Sequence, residues 1–246
     1  MRRCRELGTS TGALKTANAD GRYRCKVIVS SALGDPFAVM NTIGLVAFAL
    51  VGSAKAIRER FDLFGIAVVG LATAFVGGTT RDVLVDRVPL ALSSLGEISL
   101  GLLGVLLAVG LNVVIDSPEE HPVTMFADAV GLGAFATAGA IVATETGVPS
   151  FGVIAIATIN AAGGGAFADL LLDRSPFILV TDFYASCAVL GSCTYWVVTT
   201  ALTTDGIAAA LCAAVTVGTR LAAVNRGWEL PTAQSLEELL LRFDGD

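Results

Sequence analysis

Seven stretches of this chain carry no charged side chain: 36–54, 63–80, 98–115, 129–144, 146–168, 183–204 and 206–219. A bilayer core asks for roughly 20 predominantly apolar residues per helix, and five of the stretches approach that length unaided. The others reach it with their flanks. None shows the apolar-polar alternation of a membrane β-barrel, so the pattern predicts helices, whose backbone bonds close within one segment. The predicted spans lie near 36–57, 63–86, 94–115, 123–145, 150–172, 177–200 and 204–223. Pro36, Pro89, Pro118, Pro122, Pro149, Pro176 and Pro231 all fall at or outside these ends. Any break inside a span must therefore come from glycine.

The pattern repeats. Residues 43–89 align without a gap on residues 130–176 at an offset of 87, with 17 of 47 positions identical. The shared positions include Gly44/Gly131, Gly52/Gly139, Gly77/Gly164, Gly78/Gly165, Asp82/Asp169, Asp86/Asp173 and Arg87/Arg174. An odd number of spans per copy inverts the second copy in the membrane, an architecture suited to a path across the bilayer. The expected fold is all-α and polytopic: a three-helix repeat over 35–117, an inverted second repeat over 118–203, and a seventh spanning helix over 204–224. A basic, flexible tail over 1–34 and a C-terminal tail over 225–246 complete the chain.

Composition narrows the class. The chain is 54% hydrophobic and 15% charged, with a mean hydropathy of +0.74. Spans and short turns use nearly all of its 246 residues, leaving no room for a separate soluble catalytic domain. Seven of its 16 Lys and Arg residues sit in the first 34 positions, which read as an arm on anionic lipid, a targeting segment or an upstream extension. That tail lacks the apolar core and cleavage site of a signal peptide. The net charge of -6 suits solubility at high salt and offers nothing to nucleic acid. Lys55, Arg58, Arg60 and Arg174 in the short loops and Arg220 and Arg226 at the end of the seventh span share one side, against Arg87, nearby Arg81 and the basic tail on the other. With the tail set aside as a poor topogenic signal, the N-terminus is expected outside and the C-terminus in the cytoplasm.

Candidate chemistry is sparse. The single histidine, His121, reads as a solvated loop residue, and the five cysteines show no metal spacing. Cys187 and Cys193 read as small apolar-span thiols. No metal site, cofactor or enzyme activity is expected. The glycine-rich segments 77–82 and 163–169 lack the GK[ST] ending of a phosphate loop.

Those segments are better read as helix breaks. Gly77 and Gly78 in the second span, and Gly163, Gly164 and Gly165 in the fifth, bias little towards a continuous helix. Backbone groups freed by a kink must face protein or a watery cavity. Close helix packing through small residues is the structural alternative. Thr73, Thr79, Thr80 and Asn160 supply polar oxygen near the glycines. Asp82 and Asp169 follow one turn later and should face the bundle interior or water. Arg81 has no basic counterpart, since Ala168 holds that position; it reads as a gate, an electrostatic plug or an interfacial lock. Asp86-Arg87 and Asp173-Arg174, followed by Pro89 and Pro176, read as structural helix ends. Lys55 reads as an interface anchor. Glu97, Asp128 and Asp182 read as acids favoured near helix N-termini.

The doubled pattern GLxAFAxxG, then FG, then GG followed by D and xD-R-x-P, resembles the prokaryotic branch of the trimeric intracellular cation channel family. That branch is also grouped with bacterial membrane proteins bearing a glycine transporter domain. The likeness covers about residues 36–223. It implies a homotrimer in the lipid bilayer with a separate pore in each protomer, between spans 1, 2, 4 and 5. Spans 2 and 5 would be kinked at Gly77-Gly78 and Gly163-Gly164-Gly165, and monovalent cations, potassium or sodium, would be the permeant species. The basic residues that animal members carry beside these glycines are absent here except for Arg81. A secondary carrier for a small neutral solute such as glycine fits the same architecture, and so does a scaffold whose glycines serve packing alone.

Overall fold

The computed structural model describes residues 15–17, 23–25, 35–114, 119, 121–180, 183–202 and 205–228. Two short strands in the tail, β1 (Lys15–Ala17) and β2 (Tyr23–Cys25), pair antiparallel, an element the sequence did not predict. The rest of the tail, Asp182, Pro118 and Pro231 lie outside the described residues. So do most of the C-terminal tail and Cys4, whereas Cys25 lies in β2.

Nine helices follow among the described residues: α1 (Pro36–Arg58), α2 (Leu63–Leu84), α3 (Leu90–Ser93), α4 (Leu95–Val114), α5 (Pro122–Glu145), α6 (Ser150–Leu171), α7 (Phe177–Val180), α8 (Ala185–Leu202) and α9 (Asp205–Arg226). Local chemistry sets their starts. Asp35 accepts a hydrogen bond from the Phe37 amide at 3.0 Å, and Asp62 accepts one from Gly65 at 2.7 Å, each satisfying an orphan donor of the first turn. Pro36 and Pro122 occupy first-turn positions where no amide is missed. His121 is the N-cap of α5, its Nδ1 accepting from the Val123 amide at 3.2 Å.

The ends of α2 and α6 are built alike. Arg87 N donates to Asp82 O at 2.8 Å and Arg174 N to Asp169 O at 2.8 Å. Asp86 and Asp173 adopt left-handed φ values of 56° and 54° one residue before those donors. This is the Schellman arrangement, with aspartate where glycine is usual.

The core lies where α1 crosses α5. Gly44 receives the ring of Phe135, and Gly131 receives the ring of Phe48. The two rings meet edge to face at 5.1 Å. Both contacts require α1 and α5 to run antiparallel. Large apolar side chains also cover the outside, among them Leu102, Leu103, Leu106 and Leu107 on α4, as expected of a bundle solvated by lipid.

Among the described residues six helices (α1, α2, α4, α5, α6 and α9) are long and apolar enough to cross a bilayer. The sequence predicted seven. The sixth predicted span, 177–200, is not one helix: α7 stops at Val180, and α8 begins at Ala185 and is shorter. Its counterpart before α4 is α3, with Ser94 between the two helices.

Candidate functional site

The centre of the molecule is the crossing of α2 and α6. Gly77 lies against the backbone carbonyl of Asn160, and Gly164 lies against the carbonyl of Thr73; a Cβ on either glycine would collide with it. The partners exchange under the 87-residue offset, because 73 maps to 160 and 77 to 164. Both helices run as continuous α-helix through the glycines, where the sequence suggested breaks. With no proline present, a break would strand amides and carbonyls that the unbroken helix satisfies. Of the five glycines only Gly77 and Gly164 are needed for this close approach. A methyl on Gly78, Gly163 or Gly165 would meet its nearest atom at 3.8, 3.7 and 3.7 Å, which is ordinary contact.

Polar side chains line this crossing. Asn160 is fully buried and donates from Nδ2 to the Phe135 carbonyl at 2.5 Å. Thr73 and Thr80 donate to the carbonyls of Val69 and Val76 in their own helix, at 2.7 and 2.8 Å. Thr79 is half-buried beside Gly78.

A buried ion pair stands at each end of the crossing. At one end Arg81, 1% exposed, places Nε 2.8 Å and Nη2 2.7 Å from Asp82 Oδ1. Its guanidinium also lies over the Phe37 ring at 5.3 Å. At the other end Lys55 Nζ lies 2.7 Å from Asp169 Oδ1 and 4.6 Å from the Phe177 ring centroid. The second oxygen of each aspartate holds a short helix: Asp82 Oδ2 accepts from Leu90 N at 3.1 Å, and Asp169 Oδ2 accepts from Phe177 N at 3.2 Å.

A further polar pair accompanies each end. Asn41 Nδ2 donates to Glu97 at 2.6 Å, and the Tyr184 hydroxyl donates to Asp128 at 2.9 Å. These residues also correspond at an offset of 87, 41 to 128 and 97 to 184. Arg220 of α9 sits 3.6 Å from Asp128 and 4.6 Å over the Tyr184 ring. At the surface Arg174 bonds Glu59 at 2.9 Å and Glu119 at 2.9 Å, while Arg58 bonds Glu119 at 3.1 Å and Arg87 reaches Glu145 at 3.4 Å. Partial burial works against the Arg174 charge, but Glu119 and Glu59 outweigh it and raise its pKa.

The two ends differ in space. A cavity of about 260 Å³ opens beside Lys55, Asp128, Asp169 and Arg220, whereas the pocket lined by Arg81 and Asp82 themselves encloses about 10 Å³, room for about one water. A further cavity of about 330 Å³ opens on that second side beside Phe37, Ile141, Tyr195 and Asp205. Among the described residues no three His, Cys, Asp or Glu side chains gather as a metal site.

Two sequence readings are corrected here. Lys55 is not an interface anchor: its side chain is 12% exposed and turned inward onto Asp169. Asp128 serves inter-helix pairing, with Tyr184 and Arg220, and not the start of α5. Asn41 and Tyr184 went unrecognised, although carrying the 87-residue offset just beyond the aligned block pairs Asn41 with Asp128 and Glu97 with Tyr184. Arg220, read as an orienting cation, also turns onto Asp128 and Tyr184.

A helical bundle with an apolar exterior, several spanning helices and a charged, hydrogen-bonded interior is a multi-pass membrane protein. The family model described as glycine transporter matches residues 38–113 and again 125–200, and the chain belongs to that family, together with the prokaryotic trimeric intracellular cation channels. It is 35% identical over 154 residues to the UPF0126 membrane protein YvgT of Bacillus subtilis, covering 62% of this chain and 76% of that protein. A TRIC cation channel solved to explain conductance superposes with a TM-score of 0.73 at 32% identity, over 79% of this chain and 95% of its own. The TRIC trimeric intracellular cation channel orthologue from Rhodobacter sphaeroides gives a TM-score of 0.73 at 26% identity, over 78% of this chain and 98% of its own. These family and fold relatives are channel or membrane-transport proteins, not enzymes.

Proposed function

We propose that the protein is a cation channel, selective for monovalent ions and permeable to potassium, with sodium as a second permeant ion. It assembles as a homotrimer in which each protomer has its own pore, running between α1, α2, α5 and α6. The observation that carries this reading is the line of buried polar groups at the α2–α6 crossing, from Lys55 and Asp169 past Thr73 and Asn160 to Arg81 and Asp82. Such groups are costly inside a membrane bundle unless they serve a path. The likeness to solved cation channels supports it.

The architecture is two inverted three-helix repeats and a seventh spanning helix, with α8 counted as the sixth. The reciprocal contacts Gly44–Phe135 and Phe48–Gly131, and Gly77–Asn160 and Thr73–Gly164, support this duplication. Opening bends α2 and α6 at their glycines. Gly78, Gly163 and Gly165, which packing does not require, provide the slack, each lowering helix preference by about 1 kcal/mol relative to alanine. The end bearing Lys55, Arg58 and Arg174 faces the cytoplasm, as its positive charge favours. Glu119, bonded to both Arg58 and Arg174, supports placing these cations on one side.

A carrier for a small neutral solute such as glycine is the second reading, and the cavity of about 260 Å³ beside Lys55 and Asp169, roomy enough for such a solute, favours it. Planar-bilayer recording of the purified protein in asymmetric potassium chloride separates the two. Unitary currents reversing near the potassium potential support the channel. Silence across a wide voltage range, with saturable glycine uptake into the same proteoliposomes, supports the carrier.

A further inference from the structure

We propose that Arg81 sets the valence selectivity of the path, admitting monovalent and rejecting divalent cations at the side-chain oxygen of Asn160. The inference rests on the channel reading above.

The orientation of Asn160 is fixed by its surroundings. Its Nδ2 is tied to the Phe135 carbonyl at 2.5 Å, and the flipped amide would set two acceptors against each other. Oδ1 is thereby turned towards α2, 3.8 Å from where a Cβ of Gly78 would stand. It is buried and has no hydrogen-bond partner among the described residues.

Arg81 approaches the same place, its Nη2 also 3.8 Å from that point on Gly78. Nε and Nη2 are committed to Asp82 Oδ1. Nη1 is buried without a partner among the described residues. The second oxygen of Asp82 is occupied elsewhere, by the Leu90 amide. The guanidinium therefore presents the positive end of the ion pair to the gap over Gly78, which it shares with a free oxygen acceptor.

A free carbonyl-type oxygen is what a partly dehydrated cation needs as a ligand. The guanidinium end of the Arg81–Asp82 pair stands nearer that point than the carboxylate does. The net repulsion it leaves there is twice as strong for a divalent as for a monovalent ion, because Coulomb energy scales with the product of the charges. Burial weakens screening and sharpens the difference. Gly78 keeps the gap between charge and ligand open; a larger side chain would fill it.

The test is a bi-ionic reversal potential, potassium chloride against calcium chloride, on the full chain in planar bilayers. Arg81→Gln should raise the calcium-to-potassium permeability ratio roughly tenfold or more. Arg81→Lys keeps the charge and should stay near the parent ratio, which a purely structural role for the guanidinium would not produce. Asn160→Asp adds a negative charge while sparing the Arg81–Asp82 pair, and should also raise the ratio. It decides the matter alone if Arg81→Gln fails to fold. Potassium currents with an unchanged ratio in Arg81→Gln, or in Asn160→Asp where that variant decides, overturn this inference and leave the channel reading standing. Absence of current in the parent protein removes the channel reading and this inference with it.

Discussion

Lys55 Nζ lies 2.7 Å from Asp169 Oδ1, joining the end of α1 to the end of α6 across 114 residues of chain. Asp82, the equivalent of Asp169 in the first copy, is neutralised by its own neighbour Arg81. The two copies thus share an aspartate, and each aspartate holds the first amide of a short helix. They differ in where the counter-charge comes from. Arg81 corresponds to Ala168, and Lys55 corresponds to Val142. One asymmetry offsets the other, so that both buried carboxylates are paired.

Removing one partner of such a pair leaves a buried charge behind, which typically costs about 3–5 kcal/mol. Lys55→Met should therefore lower thermal stability in detergent or lipid markedly. Lys55→Met combined with Asp169→Asn removes both charges and should recover much of the loss. Melting curves of the single and double variants check this. Equal losses in both would show that the attraction between the two groups is not what holds α1 to α6.

The glycine pairs make a sharper comparison. Gly77→Ala and Gly164→Ala place a methyl on the carbonyls of Asn160 and Thr73, and each should cost about 1–3 kcal/mol through forced separation of α2 and α6. Gly78→Ala and Gly163→Ala meet only ordinary contacts. They should be neutral or slightly stabilising, since alanine favours helix by about 1 kcal/mol. Thermal unfolding of the four single variants is the measurement. A similar loss at Gly78 would mean that the crossing sits at a different register.

The sequence revealed an all-α chain with several spanning helices because apolar runs and prolines at helix ends are local patterns. It also pointed to Asn160, Arg81, Asp82 and Asp169 as polar groups near the crossing. Which glycine touches the opposite helix was not legible, since Gly77 and Gly78 differ only in the face they present once α2 meets α6. Lys55 was misread for a related reason: near a helix end, a lysine that snorkels and one that turns inward look alike until the neighbouring helix supplies a carboxylate. The division of the sixth span into α7, ending at Val180, and α8, beginning at Ala185, went unseen because hydropathy averages over the boundary between them. The short helices α3 and α7 do leave a trace, both following proline at the same offset.

The ends of α2 and α6 offer a test of the repeat itself. Asp86 and Asp173 occupy left-handed backbone at φ 56° and 54°, where an L side chain costs about 1–2 kcal/mol and glycine costs nothing. Replacing either by glycine relieves that strain, though the more flexible unfolded chain takes back about 0.4–1 kcal/mol. Asp86→Gly and Asp173→Gly should therefore be neutral to mildly stabilising. Asp86→Val and Asp173→Val should destabilise, because a β-branched side chain fits this region worst and gives up the local hydrogen bonding that lets aspartate tolerate it. Because Arg87 and Arg174 close the same 2.8 Å bonds onto Asp82 and Asp169, the order glycine, aspartate, valine should hold at both sites. Melting temperatures of the four single variants decide it. An inverted order at one site alone would mean that the loop after that helix, and not its left-handed residue, fixes how the chain turns into the next short helix.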